Sequence, residues 1–158
     1  MKKIALFVDV QNIYYTSRQA YGRQFNYSAL WSEISSRGEI VKAIGYAIDR
    51  GDKKQMGFQS RLKDIGFEIK LKPFIQRSDG SAKGDWDVGI TIDVLDYAKD
   101  VDIVVLLSGD GDFDMLVEKV KRDCNVEVEV YGVPALTATS LINAASRFYP
   151  IEERLLLE

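Results

Sequence analysis

Ile103-Val104-Val105-Leu106-Leu107-Ser108-Gly109-Asp110-Gly111-Asp112-Phe113-Asp114 joins an unbroken apolar run to a glycine-loosened turn bearing three aspartates. A short run of leucine and β-branched residues bounded by turn signals predicts a buried strand. Carboxylates repel one another, so clustering them points to a bound cation. The N-terminal segment repeats the plan: Ile4-Ala5-Leu6-Phe7-Val8, then Asp9, then Asn12. Sites in open α/β sheets form outside the carboxyl ends of strands. Two acidic strand tips therefore predict one site.

Outward from these two strands, the pattern alternates. Helical periodicity is expected over 13–20, 28–36, 52–65, 113–123 and 139–147, with Asn12 as a candidate cap of the first helix. A further helix over 87–99 is mostly apolar and is expected to be well buried. Strands are expected over 40–48, 67–71 and 126–131, with a last edge pairing over 148–151. Residues 75–84 read as a polar loop containing glycine and serine. Strands alternating with helices predict an α/β fold with a parallel sheet covered on both faces. At 158 residues, with no internal repeat or linker, one domain spanning 1–158 is expected.

The chain has no histidine and one cysteine, Cys124. Ser-His-Asp and Cys-His catalysis, histidine zinc sites and an intrachain disulfide are thereby excluded. A lone cysteine fits a cytoplasmic location. No apolar run is long enough to span a bilayer, so no membrane partner is expected. Carboxylates without histidine favour hard cations such as Mg²⁺ or Mn²⁺. The net charge of −3 is unevenly spread. Residues 1–48 carry six basic and three acidic side chains, and residues 49–84 carry nine and five; residues 85–158 carry six and sixteen. Either one face holds phosphate while another gathers metal, or the surface is simply uneven and solvated.

Asp9, Asp110 and Asp112 follow strands, and Asp87 opens the helix after the polar loop. Oxygen ligands from several segments are what a magnesium-type site requires. Such a site lowers the pKa of a bound water and neutralises charge on a phosphoryl group, which suits phosphodiester hydrolysis. A helix cap, worth about 1 kcal/mol, is the plainer role for any one of these acids. One cap needs one side chain, which leaves the cluster unexplained. An EF-hand fits Asp110, Asp112 and Asp114 but fails at Met115 and Lys121, where glycine and glutamate are required. Asp93 lies roughly 9 Å of rise and about 120° of rotation from Asp87 on one helix. It is a secondary acid: a lysine partner, a cap, or a more distant member of the site. Asp114, already inside the next helix, is secondary too.

Lys83 on the loop meets substrate phosphate, pairs with the nearby acids, or is solvated. Lys53, Lys54, Arg61 and Lys63 share a helix, followed by Lys70, Lys72 and Arg77. They either track a nucleic-acid backbone or face solvent. Tyr14, Tyr15 and Tyr21 flank the first acidic tip and either stack on bases or pack.

Phe7-Val8-Asp9-Val10-Gln11-Asn12, then Lys83-Gly84-Asp85-Trp86-Asp87-Val88 with Asp93, then Ser108-Gly109-Asp110-Gly111-Asp112-Phe113 occur in that order. In this, almost the whole chain resembles the NYN domain family, and within it the LabA-like proteins of the PIN-like nuclease superfamily. The resemblance implies a PIN-like three-layer α/β/α sandwich with a central, mainly parallel sheet. It implies a metal-dependent ribonuclease, an endonuclease by expectation, acting on single-stranded or structured RNA with Mg²⁺ or Mn²⁺. Asp9, Asp87, Asp110 and Asp112 match the family's acidic, metal-holding positions; Asn12 matches the asparagine supporting the first acid. Asn12, Lys83 and Ser108 are the expected substrate-side residues. The spacing after Lys83-Gly84 leaves Asp85 and Asp87 as alternatives, with Asp87 preferred by its distance from Asp93. A homodimer is left open. The alternative function is a non-catalytic RNA-binding or regulatory adaptor that keeps the fold.

Overall fold

The computed structural model describes residues 1–73, 75–76, 82–83 and 85–158, with side chains over 1–73 and 85–158. The main sheet contains strands β1 (Lys3–Asp9), β2 (Glu39–Asp49), β3 (Glu68–Pro73), β6 (Ile103–Leu107), β7 (Glu127–Gly132) and β8 (Arg147–Pro150). Their order is β3-β2-β1-β6-β7-β8, and every pairing is parallel. Between β3 and β6 the chain forms a small antiparallel ribbon, β4 (Ile75–Gln76) with β5 (Ala82–Lys83). The stretch 75–84 is therefore not wholly loop; its residues 77–81 and 84, Arg77 among them, lie outside the described residues.

The alternation of side chains along the central strands builds a core on each face. Ile4, Leu6 and Val8 face one cluster, formed with α1 (Val10–Tyr21), α2 (Tyr27–Ser35) and α3 (Lys53–Ile65) through Ile13, Leu30 and Leu62. Ala5 and Phe7 face the other, formed with α4 (Asp87–Ala98), α5 (Asp114–Cys124) and α6 (Thr139–Ala144) through Ile90, Val117 and Leu141. Strands covered on both faces read as continuous apolar runs, which is what 4–8 and 103–107 are. The result is the three-layer α/β/α sandwich.

Three features of the helices differ from the sequence reading. Helix α1 starts at Val10, because Asp9 and not Asn12 is its cap: the Asn12 N–H donates to the Asp9 carboxylate at 3.5 Å. Helix α4 is not buried throughout. Ile90, Val94 and Ala98 face the core, while Val88 and Ile92 are 70% and 54% exposed. Helix α6 stops at Ala144, since Arg147 already pairs with Glu129 of β7.

Chain order reverses between β1 and β6. Successive strands run outward from β1 to β3 on one side and from β6 to β8 on the other. Val8 pairs with Leu107, so Asp9 and Ser108 leave the sheet side by side at this switch point. A crevice outside such a point is the usual ligand site of an open α/β sheet.

Candidate metal centre at the switch point

Asp9 ends β1 in a buried position, 9% exposed. The Ser108 hydroxyl donates to its carboxylate at 3.2 Å. Ser108 is itself buried, and its Oγ also accepts the Asp110 N–H at 3.2 Å. The Asn12 side chain crosses the crevice, where its Oδ1 accepts the Gly109 N–H at 2.9 Å. Asn12 thus touches Asp9 through its main chain and the Asp110 turn through its side chain. Gly109 suits the approach of two backbones, since a Cβ there would lie 2.5 Å from the Leu136 carbonyl oxygen. These contacts lock the two strand tips together.

The turn then delivers its acids. The Asp110 carboxylate accepts the Asp112 N–H at 2.9 Å and caps the short 3₁₀ turn Gly111–Phe113. Capping and clustering coexist here: the carboxylate whose Oδ1 caps the turn also reaches the carboxylates of Asp87 and Asp112. Asp87 arrives from the first turn of α4, capped by Trp86 without a side-chain bond, so it does not serve as the helix cap. Carboxylate oxygens of Asp87, Asp110 and Asp112 lie within 4.8 Å of one another. Asp85 is not in this trio. It is exposed, accepts the Asp87 N–H at 3.3 Å, and its carbonyl accepts Lys72 Nζ at 3.1 Å.

The acids strain one another electrostatically. Burial above all pushes the Asp9 carboxyl up to about 6; the Asn12 and Ser108 hydrogen bonds oppose this, and the charges of Asp110 and Asp85 add to it. Asp87 rises to about 7 through desolvation, a hydrogen bond shared with Asp110, and the charges of Asp110, Asp85 and Asp9. Among the described residues, none of Asp9, Asp87, Asp110 and Asp112 takes part in an ion pair. Converging oxygen donors, with the Asp9 and Asp87 carboxyls raised and no cation paired to the cluster among the described residues, fit a hard divalent ion.

Other expected residues lie elsewhere. Asp93 faces away from the trio and accepts both Lys70 Nζ and the Tyr46 hydroxyl at 2.7 Å. Of its readings, the lysine partner holds. Asp114 stands in the first turn of α5 outside the trio. Lys83 lies in β5, but its side chain falls outside the described residues. The Tyr21 hydroxyl donates to the Ile151 carbonyl at 2.7 Å, a packing role, whereas Tyr14 and Tyr15 are exposed. Sequence reasoning gave Trp86 no role and read Lys72 only as a backbone-tracking or solvated base, and so missed their joint contact. The Trp86 Nε1–H donates to the Ala47 carbonyl at 2.8 Å, and Lys72 Nζ sits 4.5 Å from its ring centroid. Together they tie the start of α4 to the ends of β2 and β3. The only sequence signal was a tryptophan between two aspartates.

The NYN domain family model matches residues 3–152, which include both acidic strand tips and Asp87. This chain belongs to the NYN domain family. The NYN chain is 28% identical over 159 aligned residues to the low amplitude and bright protein LabA of Synechococcus elongatus, covering 96% of this chain and 84% of LabA. It also resembles the crystal structure of VPA0982, a Vibrio parahaemolyticus protein of unknown function. That match has a TM-score of 0.94 and 52% identity, over 99% of this chain and 96% of the other. A carbohydrate kinase from Agrobacterium tumefaciens, 14% identical with a TM-score of 0.52 over 94% of this chain and 60% of its own, shares the fold alone. NYN membership and the three-aspartate cluster fit a metal-dependent nuclease. No helix among the described residues is long and apolar enough to cross a membrane.

Proposed function

We propose that this NYN chain is a metal-dependent ribonuclease that cuts RNA phosphodiester bonds internally. The observation carrying the proposal is the trio Asp87, Asp110 and Asp112, within 4.8 Å and with no paired cation among the described residues, at the switch point of the sheet. Asp87, Asp110 and Asp112 would hold Mg²⁺ or Mn²⁺, with Asp9 the buried carboxylate behind them. A divalent ion bound there supplies an activated water and neutralises charge at phosphorus. The protein's own part is to fix the donors. Ser108 orients Asp9 and the Asp110 backbone, and Asn12 holds the turn through the Gly109 N–H. Lys83, on the ribbon preceding α4, is assigned to the phosphate backbone of the strand. With no histidine in the chain, proton transfer is assigned to the carboxylates together with the bound ion.

The test is a cleavage assay on single-stranded and structured RNAs with Mn²⁺ or Mg²⁺, run beside Asp110→Asn. Cleavage in the wild type that EDTA and the substitution both abolish supports the reading. Intact RNA throughout, with no Mn²⁺ bound by calorimetry, overturns it. RNA bound but never cut, with binding indifferent to the acids, would mark a non-catalytic adaptor instead.

A further inference from the structure

Beside the acidic crevice, on the α1–α3 side of the sheet, lies a cavity of about 670 Å³. Its size falls in the range of small-ligand sites. Phe25 and Tyr27, both buried, and Phe58 form an aromatic floor, with Tyr27 edge-on to both of the others at 4.9 and 5.7 Å. Tyr14 and Tyr15 form an exposed aromatic wall, edge-to-face at 5.4 Å. Arg50, Lys53, Lys54 and Arg61 line the same cavity. The one acid there, Asp52, caps α3 by accepting the Gln55 N–H at 2.7 Å. Among the described lining residues, Lys53, Lys54 and Arg61 against one engaged carboxylate make an anion-seeking mouth over an aromatic interior.

Two further observations give the cavity a direction and a reason. Val10 and Gln11 line it and directly follow Asp9, so a chain occupying the cavity leads onto the acidic tip. Gly57 also lines it, inside helix α3. A glycine within a helix costs about 0.5–1 kcal/mol against alanine. Nothing in the fold demands it, since a Cβ there would meet only Arg61 Nη1, at 3.7 Å. Its absent side chain keeps the wall open.

We infer that this cavity is a nucleotide subsite, which takes one base of the single-stranded RNA against Tyr14 and Tyr15 and its flanking phosphates on Lys54 and Arg61. The inference rests on the RNA reading above and extends it to a second, non-acidic contact. An aromatic interior with a cationic rim is the general means of gripping a single strand without sequence readout.

Binding of a fluorescein-labelled oligouridine to the full chain, followed by anisotropy in EDTA, tests it apart from cleavage. The double substitution Lys54→Glu, Arg61→Glu is expected to weaken binding at least about tenfold and to flatten the salt slope by about 1.4, or 0.7 per lost phosphate contact. Gly57→Leu is expected to weaken binding about tenfold while leaving the melting temperature unchanged or higher. The pair Lys54→Arg, Arg61→Lys should bind as the wild type does. Wild-type affinity in both the Glu pair and Gly57→Leu overturns the subsite, even where the wild type cuts RNA. Saturation of the cavity by 5′-UMP that oligouridine cannot displace also overturns it, in favour of a free-nucleotide site. Weakened binding in a protein that cuts no RNA upholds the subsite and sinks only the nuclease reading.

Discussion

Two carboxylate clusters of this molecule hold similar residues in opposite electrostatic states. At the switch point, Asp9 and Asp87 are pushed up to about 6 and about 7, with no ion-pair partner among the described residues. On the α1–α3 side of β7, Glu33 and the nearly buried Glu129 surround Arg37. There Arg37 Nη2 donates to Glu129 at 2.6 Å and to the Tyr131 hydroxyl at 2.9 Å, and that hydroxyl donates to Glu33 at 2.5 Å. Burial alone would raise Glu33, yet hydrogen bonds from Arg154 and Tyr131 and the charges of Arg154 and Arg37 hold it below its ordinary value. A fold that needs buried acids for structure supplies guanidinium groups with them. Among the described residues the switch-point acids have no such compensation, which is the pattern expected of a functional site.

The sharpest way to break this contrast is to remove an acid from each cluster's logic. Asp110→Asn should lower Mn²⁺-dependent RNA cleavage at least about 10²-fold, or about 3 kcal/mol, while leaving urea stability equal or higher because a repulsion is relieved. Arg37→Ala should do the reverse. It strands Glu129 and is expected to cost about 2 kcal/mol in urea denaturation, with Mn²⁺ affinity unchanged by calorimetry.

pH separates the clusters next. The folded-state values of Asp9 and Asp87 are raised, so the stability they allow is fully present below the unfolded value near 4. It is lost as pH rises through about 6 and 7. In EDTA, stability between pH 8 and pH 5 should therefore increase as pH falls, by about 1–2 kcal/mol, and Asp9→Asn should flatten the slope. With saturating Mn²⁺ the sign reverses: stabilisation by the ion should fade as pH drops below about 7, because protons compete for the same oxygens. A thermal-shift series at matched ionic strength reads both slopes. The smallest effect is expected at Asp93→Asn. It weakens the bonds to Lys70 and Tyr46 at a cost of about 1 kcal/mol and should leave Mn²⁺ affinity untouched. A loss of Mn²⁺ binding there would return Asp93 to the site.

Much of the fold was legible because its central strands are covered on both faces. Such strands show as unbroken apolar runs, and 4–8 and 103–107 did so. The buried face of α4 was harder to read. Val88 and Ile92 look like core residues in sequence, yet helix rotation sends them outward. Asp93 was legible only as an alternative, since no local pattern tells an aspartate whether β3 will bring Lys70 to it. The cavity between α1 and α3 was less legible still. Its aromatic and basic residues come from α1, the segment leading into α2 with that helix's first residue, the residue after β2, and α3. Local sequence shows the basic residues only as a charged helix.

What the amino-acid sequence determined alone is the chemical repertoire. Without histidine and with a single cysteine, the candidates for gathering a hard cation are carboxylates, at two strand tips and at the start of one helix. Periodicity and glycine placement are local properties, so strands, helices and their acidic ends could be read along the chain. Tertiary structure decided which acids meet. Pairing Val8 with Leu107 set Asp9 beside Ser108, and the packing of Trp86 on Tyr46 and Ala47 brought Asp87 rather than Asp85 to Asp110. Those choices depend on strand register and on contacts between residues far apart in sequence, and only burial of both sheet faces selects among them.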